Sequence, residues 1–254
     1  MSAPAIILVG GLGTRLRALY PDRPKALVPI RGRPFIGWML DWLRRHGVDR
    51  VHLAAGHLAG QLVEWAAHQD DPHLTVSHEP SPLGTGGGLR YVLDRVAGDE
   101  LLVLNGDSFV PELALRGWLA EPLTPDTDCA IAVAPIETPG RYGSEQFDDR
   151  NRISAFLEKA DRPADWVNAG VYRMRRAALD AAPAAPAFSL ETDLFPALAQ
   201  AGRLRAHPTP PPLLDMGTPE GLRTLEVWLD AHPDFFQRLF RHGRTSLRRE
   251  EHRQ

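Results

Sequence analysis

The sequence predicts an α/β protein of three layers, with helices on both faces of a mixed, mostly parallel central sheet. Two observations carry that expectation. Through the first 105 residues, short apolar runs alternate with longer stretches of helical periodicity, the pattern of parallel strands joined by crossover helices. The runs are continuously apolar, as strands covered on both faces require. With 254 residues and 43% hydrophobic content, the chain is long enough to bury such a core.

In order, "AIILV" (5–9) is a buried strand ended by glycine, and "FIGWMLDWLRRHG" (35–47) a helix packed on its apolar side with Gly47 as C-cap. "RVHLAA" (50–55) is a strand, "LAGQLVEWAAHQ" (58–69) a helix and "LTVSHE" (74–79) a third strand. "GLRYVLDRVA" (88–97) is a helix and "ELLVLN" (100–105) a fourth strand. Ligands of such sheets sit at the carboxyl ends of the strands. The second half is less regular. "CAIAVAPI" (129–136), "RISAFLEK" (152–159) and "AGVYRM" (169–174) read as strands, some of them antiparallel. "SLETDLFPALAQAG" (189–202) reads as helix, with Pro196 near its start or bending it. "HPTPPPLL" (207–214) reads as a link, and the later part of "DMGTPEGLRTLEVWLDAH" (215–232) as a helix. No repeat is visible. The expected organisation is one domain over 1–232, with halves of about 1–125 and 126–232. The arginine-rich tail, 233–254, reads as a solvated helix or frayed end.

A net charge of -3 gives no general basic field, which argues against a nucleic-acid partner. The single cysteine, Cys129, excludes an internal disulfide framework and a thiol cluster for zinc, and reads as a small core residue. No apolar stretch approaches the roughly 18 residues of a membrane span, so the expectation is a cytoplasmic protein without a membrane partner. Of 29 basic residues only Lys25 and Lys159 are lysine. The two exceptions invite scrutiny, because an ammonium and a guanidinium are not interchangeable on one phosphate oxygen.

After the first strand comes "GGLGTRL" (10–16), and ten residues beyond Arg15 stands Lys25, framed by prolines. A Walker-type loop would need lysine directly after a later glycine, and a dinucleotide fingerprint would need glycine where Leu16 stands. What remains is a pliant loop of Gly10, Gly11, Gly13 and Thr14, whose N–H groups can approach an anion beside Arg15.

"GGLGTRL…PKALVPIRGRPFI" resembles the signature of the sugar-1-phosphate nucleotidyltransferases. Four further segments follow in that family's order: "EPSPLGTGGGL" (79–89), "LNGDS" (104–108), "FLEK" (156–159) with "NAGVY" (168–172), and "LLDMGTPEG" (213–221). The resemblance spans about residues 5 to 230. It implies a Rossmann-like nucleotidyltransferase fold in which a sugar-1-phosphate oxygen attacks the α-phosphorus of a nucleoside triphosphate and releases pyrophosphate. Two anions must meet, so charge neutralisation and alignment dominate.

The resemblance assigns Arg15 to the outer phosphate oxygens and Lys25 to the reacting phosphates. Asp107 and Asp215 become ligands of Mg²⁺, with Mn²⁺ as a substitute. Two acidic ligands with phosphate oxygens and water suit magnesium; a turn ahead of Gly217 and Pro219 would also explain Asp215. Gly143, Glu158, Lys159 and Asn168 take the sugar-phosphate side. Thr85, with glycines 86–88, opens a helix beside the nucleoside, although helix capping alone would explain these residues. Glu79, ahead of Gly84, stands where thymidylyl- and uridylyl-transferring relatives carry glutamine. An ionised carboxylate only accepts, and guanine's Watson–Crick edge offers two adjacent donors, which favours GTP.

Among branches, the chain looks most like the guanylyltransferases of D-glycero-α-D-manno-heptose 1-phosphate, which serve cell-surface polysaccharides. Transfer of UMP, CMP or dTMP to mannose, glucose or N-acetyl sugar phosphates stays open, as does a homo-oligomer. A non-catalytic nucleotide-sugar sensor is the alternative of another class; the joint presence of Arg15, Lys25, Asp107 and Asp215 argues against it.

Overall fold

The computed structural model describes residues 3–135, 144–157, 166–233 and 235. Strand β1 (Ala5–Val9) leads into the glycine loop, and β2 (Pro29–Ile30) and β3 (Arg33–Pro34) form a small hairpin before helix α1 (Phe35–Arg45). The alternation continues through β4 (Val51–Ala55), α2 (Ala59–Ala67), β5 (Leu74–His78), α3 (Gly84–Val92) and β6 (Glu100–Asn105). Then come β7 (Ser108–Phe109), α4 (Leu115–Ala120), β8 (Cys129–Ala134), β9 (Ser144–Phe147), β10 (Ile153–Leu157) and β11 (Val167–Arg175). A π turn at Leu190–Leu194 opens α5 (Phe195–Gln200), followed by β12 (Leu204–Pro208), β13 (Leu214–Asp215) and α6 (Pro219–Ala231).

Seven strands form the central sheet in the order β12-β8-β11-β6-β1-β4-β5. All neighbours run parallel except β11, which is antiparallel to both β6 and β8. The mixed, mostly parallel sheet is therefore as expected. Successive side chains of a strand point to opposite faces, so β1 feeds two cores. Ile7 joins Leu53, Leu102 and residues of α1, α2 and α6 on one side. Ile6 joins Leu101, Val103, Ile131 and residues of α3 and α5 on the other. Cys129 is fully buried in the second core, where burial pushes its thiol pKa up, in keeping with a packing role.

Several elements differ from the sequence reading. Helix α3 begins at Gly84, not Gly88, and tightens into a 3-10 turn at Leu93–Arg95. Its glycines are poor helix formers, and tertiary packing overrides that tendency, because the Phe188 carbonyl accepts from Gly86 N (3.0 Å) and Gly87 N (3.2 Å). Strand β12 takes His207 and Pro208 out of the expected link; as a sheet-edge strand it tolerates the missing N–H of its last residue. The short elements α4 and β9 carry too little periodicity to announce themselves. Pro196 sits in the first turn of α5, where its missing N–H costs nothing, and Gly47 adopts φ 81 after α1 as a C-cap does.

Candidate active site

The loops after β1, β5 and β6 surround a cleft of about 280 Å³, lined by Gly10, Gly11, Lys25, Glu79, Gly84, Thr85, Asn105 and Asp107 among others. It lies at the carboxyl ends of parallel strands, as sheet topology dictates.

At one end of the cleft two carboxylates and an ammonium converge. β7 and β13 pair antiparallel with Asp215 opposite Ser108, and Met216 N donates to Asp107 O at 2.9 Å. This two-rung ladder joins residues more than a hundred positions apart and brings the backbones of Asp107 and Asp215 side by side. Lys25 Nζ donates to Asp107 Oδ2 at 2.6 Å. Asp215 Oδ1 accepts from Gly217 N at 2.6 Å. A Cβ built on Gly217 would lie 2.7 Å from Asp215 Oδ1 and 3.0 Å from Lys25 Nζ, so Asp215 and Lys25 meet over one glycine and Asp107 joins them through its ion pair with Lys25. Capping of α6 falls to Thr218, whose hydroxyl accepts from Gly221 N at 3.0 Å. Asp215 thus makes the Gly217 turn without being the helix cap.

Glu79 follows β5 and reaches back under the glycine loop. Its Oε1 stands 2.8 Å from where a Cβ on Gly10 would be and 2.2 Å from one on Gly56. Those two glycines make room for the carboxyl. Leu83 N donates to Oε2 at 3.4 Å, a weak hold. Burial raises the Glu79 pKa above the ordinary carboxylate range, with the Leu83 N–H and His78 opposing it.

The other expected residues are distributed as follows. Gly13 turns the loop with φ 57, and Leu16 and Arg17 donate back to its carbonyl; Leu16 is buried and anchors the turn. Thr14 and Arg15 are exposed on that turn and are not among the cleft-lining residues. The structure therefore brings Lys25, Asp107 and Asp215 together and leaves Arg15 on the rim loop. Thr85 lines the cleft, but its hydroxyl donates to Glu191 Oε2 (2.7 Å) and accepts from Leu190 N (2.9 Å). Asn168 accepts from Gly170 N at 2.8 Å within a register shift of β11, and Gly170 abuts Asn105 and Ser108. Gly143, Glu158 and Lys159 lie outside the described residues.

Sequence reasoning missed Asn105, which lines the cleft two residues before Asp107 and donates through Nδ2 to the Tyr172 hydroxyl at 3.0 Å. A polar residue ending a buried apolar run was the available signal. It also missed Glu145 of β9, whose pKa burial pushes up to about 8.

A sequence model of the nucleotidyl transferase family matches residues 4–229. The chain is 32% identical over 221 residues to the mannose-1-phosphate guanylyltransferase of Mycobacterium tuberculosis, covering 85% of this chain and 61% of that protein. It is 30% identical over 192 residues to the D-glycero-α-D-manno-heptose 1-phosphate guanylyltransferase of Aneurinibacillus thermoaerophilus, covering 75% and 83%. The crystal structure of HddC from Yersinia pseudotuberculosis superposes with a TM-score of 0.79 at 27% identity, over 90% of this chain and all of that one. A second structure of HddC is complexed with GMP-PN. The chain thus spans about three-fifths of the Mycobacterium relative's length and most of the heptose relative's.

Proposed function

The chain belongs to the nucleotidyl transferase family, and on that premise we propose that it transfers GMP from GTP to a sugar 1-phosphate, releasing pyrophosphate. The convergence of Lys25, Asp107 and Asp215 at the mouth of the cleft carries this reading. A phosphate oxygen of the sugar 1-phosphate bonds to the α-phosphorus, and the bond from that phosphorus to the oxygen bridging to the β-phosphate breaks. Pyrophosphate leaves with the electron pair. No side-chain nucleophile is needed.

Each residue then has a part in positioning and charge. Lys25 offers a compact cation to the reacting phosphates, held ready by its ion pair with Asp107. The Gly10 and Gly11 backbone lines the triphosphate's path, with Arg15 reaching the outer oxygens from the rim loop. Asp107 and Asp215 form an oxygen-only pair beside a phosphate site, a donor set that fits Mg²⁺ or Mn²⁺ and suits zinc poorly. When bound, the ion would neutralise phosphate charge. Glu79 accepts both donors of guanine. Asn168 serves the sugar side, together with Gly143, Glu158 and Lys159.

For the sugar, D-glycero-α-D-manno-heptose 1-phosphate is favoured by the match of this chain to 83% of the Aneurinibacillus protein's length, against 61% of the Mycobacterium protein's. Mannose 1-phosphate is the second reading, supported by 32% identity to the Mycobacterium protein. The product would enter the cell-surface polysaccharide route from the cytoplasm. A matrix of GTP, UTP, CTP and dTTP against both sugar phosphates with Mg²⁺, read by pyrophosphate release, tests this. GTP with the heptose phosphate should give the highest kcat/KM. A preference for UTP would remove the guanine assignment, a preference for mannose 1-phosphate the heptose, and silence throughout the reaction itself.

A further inference from the structure

The sequence "SLETD" (189–193) belongs to none of the segments that suggest the reaction, yet its glutamate joins two walls of the cleft. The Glu191 carboxylate collects three hydroxyl donors. Thr85 Oγ1 donates to Oε2 at 2.7 Å, Ser189 Oγ donates to the same oxygen at 2.8 Å, and the Tyr172 hydroxyl donates to Oε1 at 3.3 Å. Tyr172 is fully buried, and its oxygen in turn accepts from Asn105 Nδ2 at 3.0 Å. Asn168 is a second side-chain partner of the same hydroxyl, which is why the sugar 1-phosphate is kept saturating when KM for GTP is measured. Thr85 and Asn105 line the cleft; Glu191 and Tyr172 stand behind them.

Asn105 is the responsive member of this chain. Its Oδ1 is buried and, among the described residues, has no hydrogen-bond partner, so within them the Tyr172 bond is what holds its amide group. Removing the hydroxyl would leave the whole amide unheld at the wall of the cleft. On the other arm, Thr85 carries the first turn of α3, which the 183–191 segment straps down from outside. The Phe188 carbonyl caps Gly86 and Gly87, and the Arg90 guanidinium donates to Pro183 O (2.8 Å) and Ala185 O (3.0 Å). The hydroxyls converge on a charged acceptor, and such bonds are stronger and more directional than neutral ones. Linked bonds of this kind act as a unit.

We infer that Glu191 is a positioning residue for the nucleoside triphosphate, acting through Tyr172 on Asn105 and through Thr85 on the start of α3. This rests on the proposed reaction. The carboxylate sets the spacing between the two walls and leaves the phosphate chemistry at Lys25 and Asp107 untouched. Glutamine at 191 can keep Thr85 and Ser189 on its carbonyl, but it then presents an N–H to Tyr172. The tyrosine hydroxyl must reverse, and Asn105 meets a competitor for the same oxygen.

The experiment compares the full chain with Glu191→Gln, Tyr172→Phe and the double variant, measuring kcat, KM for GTP with Mg²⁺ at saturating sugar 1-phosphate, and Tm. Each single variant should raise KM for GTP about tenfold, the loss of one charge-assisted bond, with kcat within about twofold. The double variant should be no worse than either single one, since both break one pathway. A purely structural role would lower Tm and leave KM alone, and that result would overturn the inference. So would additive effects in the double variant. Tyr172→Phe removes a single oxygen, so it decides the matter if Glu191→Gln fails to fold. A wild-type protein inert with every triphosphate sinks the proposed reaction and this inference together; an active wild type with unaltered variants sinks this inference alone.

Discussion

Two glycine-rich segments border the cleft and use the missing side chain for opposite purposes. In the loop after β1, Gly11 has nothing within 4 Å of where a Cβ would be, and its neighbours Leu12, Thr14 and Arg15 are exposed. Glycine there leaves backbone N–H groups open to an incoming anion. At the start of α3, a Cβ on Gly86 would lie 2.1 Å from the Phe188 ring, and one on Gly87 2.3 Å from Pro186 O. Glycine here lets two chain segments touch, and the N–H groups of Gly86 and Gly87 are already taken by Phe188 O. Both segments are glycine-rich in sequence, yet Gly11 is open where Gly86 and Gly87 are packed. Glu79 lies between them, with Oε1 against Gly10 and Oε2 3.4 Å from a Cβ on Gly88.

Substitutions along the cleft should therefore separate into those that lower turnover and those that lower stability. The largest effect is expected at the end of the cleft beyond the open loop. Asp107→Asn should cut kcat by at least about a hundredfold, the loss of several kcal/mol of charge stabilisation, with Tm within a few degrees of the parent. Near-normal turnover would remove the metal-ligand assignment.

Next comes Glu79, which touches both segments. Its pKa is raised by burial, and it must be ionised to accept both guanine donors. KM for GTP should rise as pH falls through that elevated pKa, and Glu79→Gln should show no such rise and lose preference for GTP over UTP by about tenfold, the worth of one misdirected hydrogen bond. An unchanged profile in the variant would detach Glu79 from the base.

In the packed segment, Gly86→Ala should destabilise the fold by about 1–3 kcal/mol through overpacking, visible as a lower denaturation midpoint. Phe188→Ala in the same chain should recover part of the loss, and purely additive losses would argue against the clash. The smallest stability effect is expected at Gly11→Ala, within about 0.5 kcal/mol, accompanied by a several-fold higher KM for the triphosphate. If Gly11→Ala destabilised as much as Gly86→Ala, the distinction between the two loops would collapse.

The first half was readable because each strand is a continuous apolar run and each helix has one apolar side; α1, α2, β4, β5 and β6 lie within a residue or two of where periodicity puts them. The second half resisted for identifiable reasons. β12 hid because His207 and Pro208 look like a linker unless an adjacent β8 is known, and β9 is too short to show a period. Of the site, Lys25, Glu79, Asp107 and Asp215 could be named from motifs, but the β7–β13 ladder that joins two of them could not. Its strands are two residues each and lie far apart in the chain. The Thr85 hydroxyl shows the reverse problem: the motif points to a ligand, and the partner it has in this structure, Glu191, lies 106 residues away.

The one strand that runs against the rest of the sheet has a consequence for how a second substrate gets in. Its six companions present their finishing residues at the rim, whereas β11 presents its beginning, so Gly170 arrives beside Asn105 and Ser108 from the opposite chain direction, with Asn168 two residues before it. Under the proposed reaction, reversing a single strand would lend the donor's platform an acceptor-side edge, so that one continuous sheet could meet two reactants without a hinge between them.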